Sequence, residues 1–375
     1  MTDVVIFSEL SCNNGKKIGH ATLNKESALN ALNIDMIKLL KSQLELWQQD
    51  PQVCMVLLDG VGDKAFCAGG DVVAMHNAMQ QTPSAIPASL QEFFTEEYKL
   101  DYLIHSYQKP FMVWGHGIVM GGGLGLMSGA SHRIVTATSR IAMPEISIGL
   151  YPDVGGSWFL NKMPEGCGLF LGLTGASVNA ADALYTKLAD HFIAHSSKAE
   201  LLTQLSITQW TGAGSENQQL LSLVCERFQN LHIEELPKAN VAPHQAVISE
   251  LSKGDTAAQV VSGILALQAD EDKWLSRAQS TLKGGSPITA NLVFEQLRRG
   301  ENLSLAECFA MELTVSCRCG EFGEFQEGVR ARLIDKDNQP NWRYKNAADV
   351  PESTIEYFFT SPWAENEHPL LALGK

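Results

Sequence analysis

An α/β architecture with a helical C-terminal region is the fold predicted for this chain of 375 residues. Two observations carry that reading. Over about the first 200 residues, short continuous apolar runs alternate with amphipathic stretches, the order expected of βαβ units in a largely parallel sheet. Beyond about residue 200 the strand signals fade and helical periodicity takes over. The predicted division is therefore 1–200 and 201–375, within a length that suits one large domain or two.

The elements follow in order. Val4–Glu9 and Lys17–Asn24 read as strands. Asp35–Gln49 reads as an amphipathic helix with Met36, Leu39, Leu40 and Leu44 on one side, stopped by Asp50-Pro51. Val53–Leu58 is a continuous apolar run of the kind that makes a buried strand. Asn77–Ser89, with two Pro and small polar residues, predicts a mobile loop. Ser89–Tyr107 predicts a helix, closed by Lys109-Pro110, and Phe111–Trp114 predicts another buried strand. A triple Gly then opens a helix, and His132–Ala137 follows as a strand. Helices are predicted at Ser215–Asn230, His244–Lys253, Thr256–Lys283, Thr289–Arg299 and Ser304–Cys319. No internal repeat or low-complexity tract is visible.

Bulk composition narrows the function classes. Apolar residues form 45% of the chain, enough for a sizeable core, and the net charge is −14. That charge argues against nucleic acid as a main partner, because no phosphate-neutralising surface is evident. No run reaches 18 apolar residues, so no membrane span or membrane partner is expected. Met1–Phe7 has no basic n-region followed by an apolar run, which gives a cytoplasmic expectation. The eight Cys are scattered, and Cys54, Cys67, Cys167 and Cys225 sit in apolar runs, as reduced buried thiols would. Cys317 and Cys319 are one residue apart, which is not zinc spacing, and no metal site is expected.

Three segments carry chemistry. Met143–Gly156 places Glu145 and Asp153 in an apolar, Gly- and Pro-broken stretch, where carboxylates need a partner or a task. Phe66–Asp71 and His116–Gly125 are Gly-rich turns that expose backbone N–H groups. Gly121-Gly122-Gly123 opens an apolar helix, whose first N–H groups lack intrahelical partners. It has neither P-loop nor dinucleotide spacing. Each feature also has a plainer structural reading. The triple Gly could serve tight packing, Asp71 could be a helix cap, and Asp153 could cap the run beginning at Val154. His116 reads as a hydrogen-bonded core residue, and Asp59, Asp63 and Lys64 as a solvated turn. No Gly-x-Ser-x-Gly elbow is present. Two N–H-bearing turns and a buried acid are nonetheless what is needed to polarise a carbonyl and attack it.

In this order and at these separations, the three segments resemble the crotonase (enoyl-CoA hydratase/isomerase) superfamily. Ala65–Asp71, Glu96-Glu97-Tyr98, Gln108-Lys109-Pro110, Ala142–Gly156 and the C-terminal run Phe325–Asp337 with Pro340 and Trp342 resemble its thioester-hydrolase branch. The resemblance implies a crotonase-like right-handed ββα spiral with a helical C-terminal region that covers the site or mediates assembly. It implies an acyl-CoA substrate and no cofactor, coenzyme A being part of that substrate; a homo-oligomer is left open. The implied oxyanion-hole donors are Gly70 and Gly122. The implied CoA contacts lie at Lys25, Ala28, Ala31, Ala68, Gly69 and Asp71, although Lys25–Ala28 departs from the Arg-Pro pair more usual in that turn. Hydratases of the superfamily use two Glu. The first of those positions is Gly125 here, and the second is Glu145, with Asp153 added where hydratases have a small residue. Glu145 and Asp153 are the implied catalytic pair, and Glu97 the implied contact to a substrate hydroxyl. The activity implied is hydrolysis of a short branched 3-hydroxyacyl-CoA such as 3-hydroxyisobutyryl-CoA, as in valine breakdown. The alternatives are an isomerase or hydratase of the same superfamily, and a non-catalytic CoA-binding protein.

Overall fold

The computed structural model describes residues 3–269 and 271–375. Met1 and Thr2, part of the N-terminal reading above, lie outside the described residues, as does Asp270 within the predicted Thr256–Lys283 helix. The strands are β1 (Val5–Ser11), β2 (Lys17–Leu23), β3 (Val53–Gly60), β4 (Ala65–Cys67), β5 (Phe111–Gly115), β6 (Ile118–Met120), β7 (His132–Val135), β8 (Arg140–Ala142) and β9 (His191–Phe192). The helices begin with α1 (Ile34–Gln49), α2 (Val72–Gln81), α3 (Ala88–His105), α4 (Gly122–Ser128), α5 (Gly156–Phe159), α6 (Cys167–Thr174), α7 (Ala180–Tyr185), α8 (Lys198–Ile207) and α9 (Gly214–His232). They continue with α10 (Val241–Ser252), α11 (Ala257–Ala266), α12 (Lys273–Gly284), α13 (Pro287–Gly300), α14 (Leu305–Phe322), α15 (Glu324–Val329) and α16 (Glu352–Phe359).

One sheet runs β1-β2-β3-β5-β7-β9, and a second runs β4-β6-β8. The β1–β2 pair is antiparallel, and β2–β3, β3–β5, β5–β7 and β7–β9 are parallel. Along the chain, a strand of the first sheet is followed by a short strand of the second and then by a helix. β3–β4–α2 and β5–β6–α4 are two such ββα turns. The three-residue strands β4, β6 and β8 are too short to show a period in the sequence, and none of them was predicted. The continuous apolar run of β3 is buried at every position, as a parallel strand covered on both faces requires.

Two compact units alternate along the chain. The first comprises 1–70, 100–141 and 178–240, and the second 71–99, 142–177 and 241–375. The chain thus does not divide once at residue 200, although the helical character beyond that point is as expected. In the first unit, Ile18, Met55, Leu57, Met112, Trp114 and Ile134 of the sheet pack with Leu201, Leu205, Leu221, Cys225 and Phe228 of α8 and α9. The second unit is helical, and Phe309, Phe325 and Phe358 are among its largest fully buried side chains.

Several local expectations are corrected. Asn77–Ser89 is not a loop throughout. Asp71 caps α2 by accepting from Ala74 N at 3.2 Å, and Met75 and Met79 are buried, so the helix runs to Gln81. Thr256–Lys283 is two helices. Asp272 caps α12, and the Gln279 side chain donates to Ile264 O and Leu267 O, carbonyls at the end of α11. Leu39 is 44% exposed; the buried face of α1 is Met36, Ile37, Leu40, Leu44 and Trp47. Asp59 is not in a solvated turn. It lies buried in β3, one residue before its end, bonded to His20 Nε2 at 3.0 Å and to Lys198 Nζ at 2.7 Å. His116 is a buried core residue, its Nε2 2.7 Å from Gly62 O.

Candidate active site

In the first unit, the two Gly-rich turns come together because β4 and β6 pair in parallel, Ala65 with Ile118 and Cys67 with Val119. The contact is too close for a side chain at Gly123, where a Cβ would sit 2.4 Å from Cys67 O, and Gly69 takes φ 112°, which L side chains rarely adopt. Gly122 is the first residue of α4, and Gly121 O accepts from Leu124 N and Gly125 N. Gly70 forms a parallel bridge with Leu32, and Leu32 N donates to Gly69 O at 2.8 Å. Ala68 N donates to Leu29 O at 3.0 Å. Lys25, Ala28 and Ala31 therefore lie in the turn that flanks Ala68, Gly69 and Gly70. Asn30 pins that turn, its Oδ1 accepting from Lys25 N and its Nδ2 donating to Val61 O and Ala65 O, each at 3.0 Å.

The second unit holds the acids. Glu145 opens the 3-10 turn Glu145–Ile148 and is 5% exposed. Its Oε2 has no hydrogen-bond partner among the described residues. The turn is fixed by the C-terminal run that the sequence singled out: a Cβ on Gly149 would meet Glu324 O at 2.4 Å, and one on Gly328 would meet Ile148 O at 2.2 Å. Glu324, capped by Ser286 Oγ and Arg343 N, anchors that run. Asp153 is 4% exposed. It does not act as a side-chain helix cap, since Gly155 holds the cap position of α5 and the Asp153 carboxyl lies 2.6 Å from Tyr98 Oη. Val154 follows at φ 52°, a left-handed conformation costly for a β-branched residue. The backbone around it is held from α14 and α13. Glu312 accepts from Gly155 N and Ser157 N, each at 2.8 Å, Gln296 Nε2 donates to Pro152 O, and Tyr151 Oη donates to Glu312 O at 2.6 Å. Glu97 is buried on α3, beside Tyr98 in sequence.

Burial dominates the electrostatics. It raises Glu145 well above the ordinary carboxylate range, and Asp153, when ionised, adds to the rise. Burial raises Asp153 as well, and a hydrogen bond donated by the Tyr98 hydroxyl would oppose that rise. Glu312 goes up to about 8 for the same reason, against its two N–H donors. Two carboxyls that hinder each other's ionisation are suited to acid–base work near neutral pH.

An enoyl-CoA hydratase/isomerase family model matches residues 18–359. The chain belongs to the enoyl-CoA hydratase/isomerase family. It is 37% identical over 344 residues to the mitochondrial 3-hydroxyisobutyryl-CoA hydrolase of Xenopus tropicalis, covering 92% of this chain and 86% of that protein. The Homo sapiens protein of the same name is 33% identical over the same shares. Among solved structures, a carnitinyl-CoA dehydratase from Mycobacterium thermoresistibile superposes with a TM-score of 0.84 at 30% identity, over 100% of both chains. An enoyl-CoA hydratase from Rhodobacter sphaeroides 2.4.1 gives 0.80 at 30% identity, over 95% of this chain and 97% of that one. These neighbours bear out the crotonase fold.

In this family member, the second unit carries Glu97, Glu145 and Asp153, with Glu145 and Asp153 near enough to affect each other's ionisation, and the first brings together Gly70, Gly122 and the Lys25–Ala31 turn. The sequence reading missed Ser316, Tyr151, Glu312 and Gln296, which hold the Asp153 segment. Ser316, Glu312 and Gln296 signalled only as polar residues inside otherwise apolar helical patterns, and Tyr151 as one residue of an irregular segment, none of which reveals a partner. A cleft of about 880 Å³ lined by Ala258, Val261, Leu265, Lys283 and Lys345 contains none of the three acids. Among the described residues, no helix is long and apolar enough to cross a membrane.

Proposed function

We propose that the protein hydrolyses the thioester of a short branched 3-hydroxyacyl-CoA, 3-hydroxyisobutyryl-CoA above all, as a step of valine breakdown. The observation that carries this reading is the pair of buried carboxyls, Glu145 and Asp153, in one unit of the fold, with Glu145 raised first by burial and near enough to Asp153 to feel its ionisation. The names of its curated relatives support it. In the proposed reaction, the N–H groups of Gly70 and Gly122 polarise the thioester carbonyl, a kind of contact worth about 3 kcal/mol of barrier per donor. Glu145 attacks the carbonyl carbon to give a mixed anhydride, or takes a proton from an attacking water. Asp153 handles the proton that the CoA sulfur needs, and Glu97 meets the 3-hydroxyl. Lys25, Ala28, Ala31, Ala68, Gly69 and Asp71 are assigned to the CoA moiety. No metal or redox cofactor enters the scheme, and turnover is expected to survive dialysis against a chelator. Homo-oligomerisation belongs to the same reading, with light scattering as its measurement. So does a cytoplasmic location. The eight buried free thiols suit a reducing compartment, and cell fractionation decides between the cytoplasm and the mitochondrial placement in the relatives' names.

The test compares CoA release from 3-hydroxyisobutyryl-CoA with hydration of crotonyl-CoA, since the solved neighbours are named a dehydratase and a hydratase. Hydrolysis should dominate by orders of magnitude. Glu145→Gln, nearly isosteric but neither nucleophile nor base, should lose at least roughly 10²-fold in kcat while CoA affinity is kept. Comparable hydration, or a folded Glu145→Gln protein that keeps a substantial fraction of turnover, would sink the assignment.

A further inference from the structure

Five oxygen atoms of the second unit form an unbranched line. Asp153 Oδ2 is 2.6 Å from Tyr98 Oη, which is 2.7 Å from Ser316 Oγ. Ser316 Oγ is 2.9 Å from Tyr151 Oη, which is 2.6 Å from Glu312 O. All five residues are buried. Every spacing is a hydrogen-bond distance, so four protons are needed for four contacts. The three hydroxyls supply three.

The direction of the line is fixed from its far end. A backbone carbonyl only accepts, so Tyr151 spends its single proton on Glu312 O. Ser316 must then donate to Tyr151. Its proton is thereby used, and Tyr98 must donate to Ser316. Tyr98 has nothing left to give Asp153, so the fourth proton has to come from Asp153 itself. With Asp153 ionised, two oxygens somewhere along the line would face each other at 2.6–2.9 Å with lone pairs only, and a buried unmade hydrogen bond is costly.

We propose that Asp153 carries a proton in the resting enzyme, held there by the Tyr98–Ser316–Tyr151 hydroxyl line. Tyr98, Ser316 and Tyr151 are positioning residues. They hold the proton on Asp153: Tyr98 meets Asp153 Oδ2 directly, and Ser316 and Tyr151 act through Tyr98. The Tyr98 hydroxyl, which as a donor would favour the Asp153 carboxylate, is turned away from that role by Ser316. The proton placement itself stands without any activity; its catalytic meaning rests on the hydrolase reading above. In that reading the C–S bond breaks with its electron pair on sulfur, and sulfur takes the Asp153 proton. The water that delivers OH to the acyl carbon releases one proton, which returns to the Asp153 carboxylate directly or through Glu145. The acid pair ends as it began, with free acid and CoA thiol as products.

The groups whose charge is felt together with that of Asp153 are Glu145 on its 3-10 turn, Tyr98 on α3, Tyr151 in the same loop, and Glu312 and Cys319 on α14. Infrared difference spectroscopy on the full-length protein separates them by isotope. Wild type should show a protonated-carboxyl C=O band that moves on ¹³C-aspartate labelling and is missing in Asp153→Asn. Wild type without such a band at neutral pH overturns the proposal whatever the variants do. Ser316→Ala frees the Tyr98 proton to donate to Asp153. The band should weaken, and the alkaline limb of kcat/KM should move to lower pH by about one unit, a tenfold loss of the protonated fraction above the limb. A band and a limb unchanged in folded Ser316→Ala would also overturn it. If the protein proves not to hydrolyse acyl-CoA yet the labelled band behaves as stated, the functional reading fails and the proton placement stands.

Discussion

Asp59 shows how much one buried carboxylate can contribute. Burial alone would raise it, but the hydrogen bond from His20 and the charge of Lys198 more than offset that and hold it at about 2, below the ordinary 3.8. A depressed carboxylate stabilises the fold above its unfolded value and loses that contribution as pH falls through the folded one. The difference corresponds to roughly 2 kcal/mol at neutral pH. Asp59→Asn should therefore lower stability by about that much in urea unfolding at pH 7, and by much less near pH 2. A variant as stable as wild type at pH 7 would show that the pair only offsets its own desolvation. Sequence reading took this residue for solvated because two more charged residues follow within five positions. Its partners come from β2 and α8, distances of 39 and 139 residues along the chain that no local pattern spans. Glu145 and Asp153 were legible for the opposite reason: they are acids standing alone among apolar residues. Tyr98, which Asp153 meets directly, and Ser316, which meets Tyr98, come from α3 and α14, and no local pattern links either to Asp153.

At the scale of elements, long apolar or periodic segments were legible, and short or packed ones were not. β3, β5, α1 and α3 announced themselves through runs and periodicity, whereas β4, β6 and β8 exist only because neighbouring strands supply their hydrogen bonds. The break between α11 and α12 depends on a glutamine from α12 reaching back to carbonyls at the end of α11. α15 illustrates an element whose task is another element's shape. Gly328 lies against the backbone of Ile148, which closes the turn opened by Glu145. Gly328→Ala would place a methyl 2.2 Å from Ile148 O, and backbone cannot yield as a side-chain tip does. The expected result is a loss of about 1–3 kcal/mol in stability, with a fall in kcat exceeding that in CoA affinity. Unchanged melting temperature and kcat would mean that the turn is not held by this contact.

Across the whole molecule, titration sums the opposing groups. Asp153 lies above its ordinary 3.8 and Glu312, at about 8, above its ordinary 4.5, so the folded chain binds protons the unfolded chain has lost. Their contribution is complete below the unfolded values and disappears as pH rises through the folded ones. Buried imidazoles act the other way. Burial lowers His105 and His132 to about 4, so they penalise folding as pH falls below 6.5. The carboxyl effect is therefore unopposed only above that point. The melting temperature should decline from about pH 6.5 to about pH 8, and Glu312→Gln should flatten the decline. A melting temperature that climbs over that interval would contradict the assignment of Glu312. The eight cysteines extend the same view. All are free and buried: Cys12, Cys54, Cys67 and Cys225 in the first unit, and Cys167, Cys308, Cys317 and Cys319 in the second. Native protein should thus be silent toward a thiol-reactive dye, which leaves released coenzyme A as the sole chromogenic thiol in a turnover assay. On slow warming, the order in which the eight sites acquire the dye becomes a clock of breathing, with four dials for each unit read by peptide mapping.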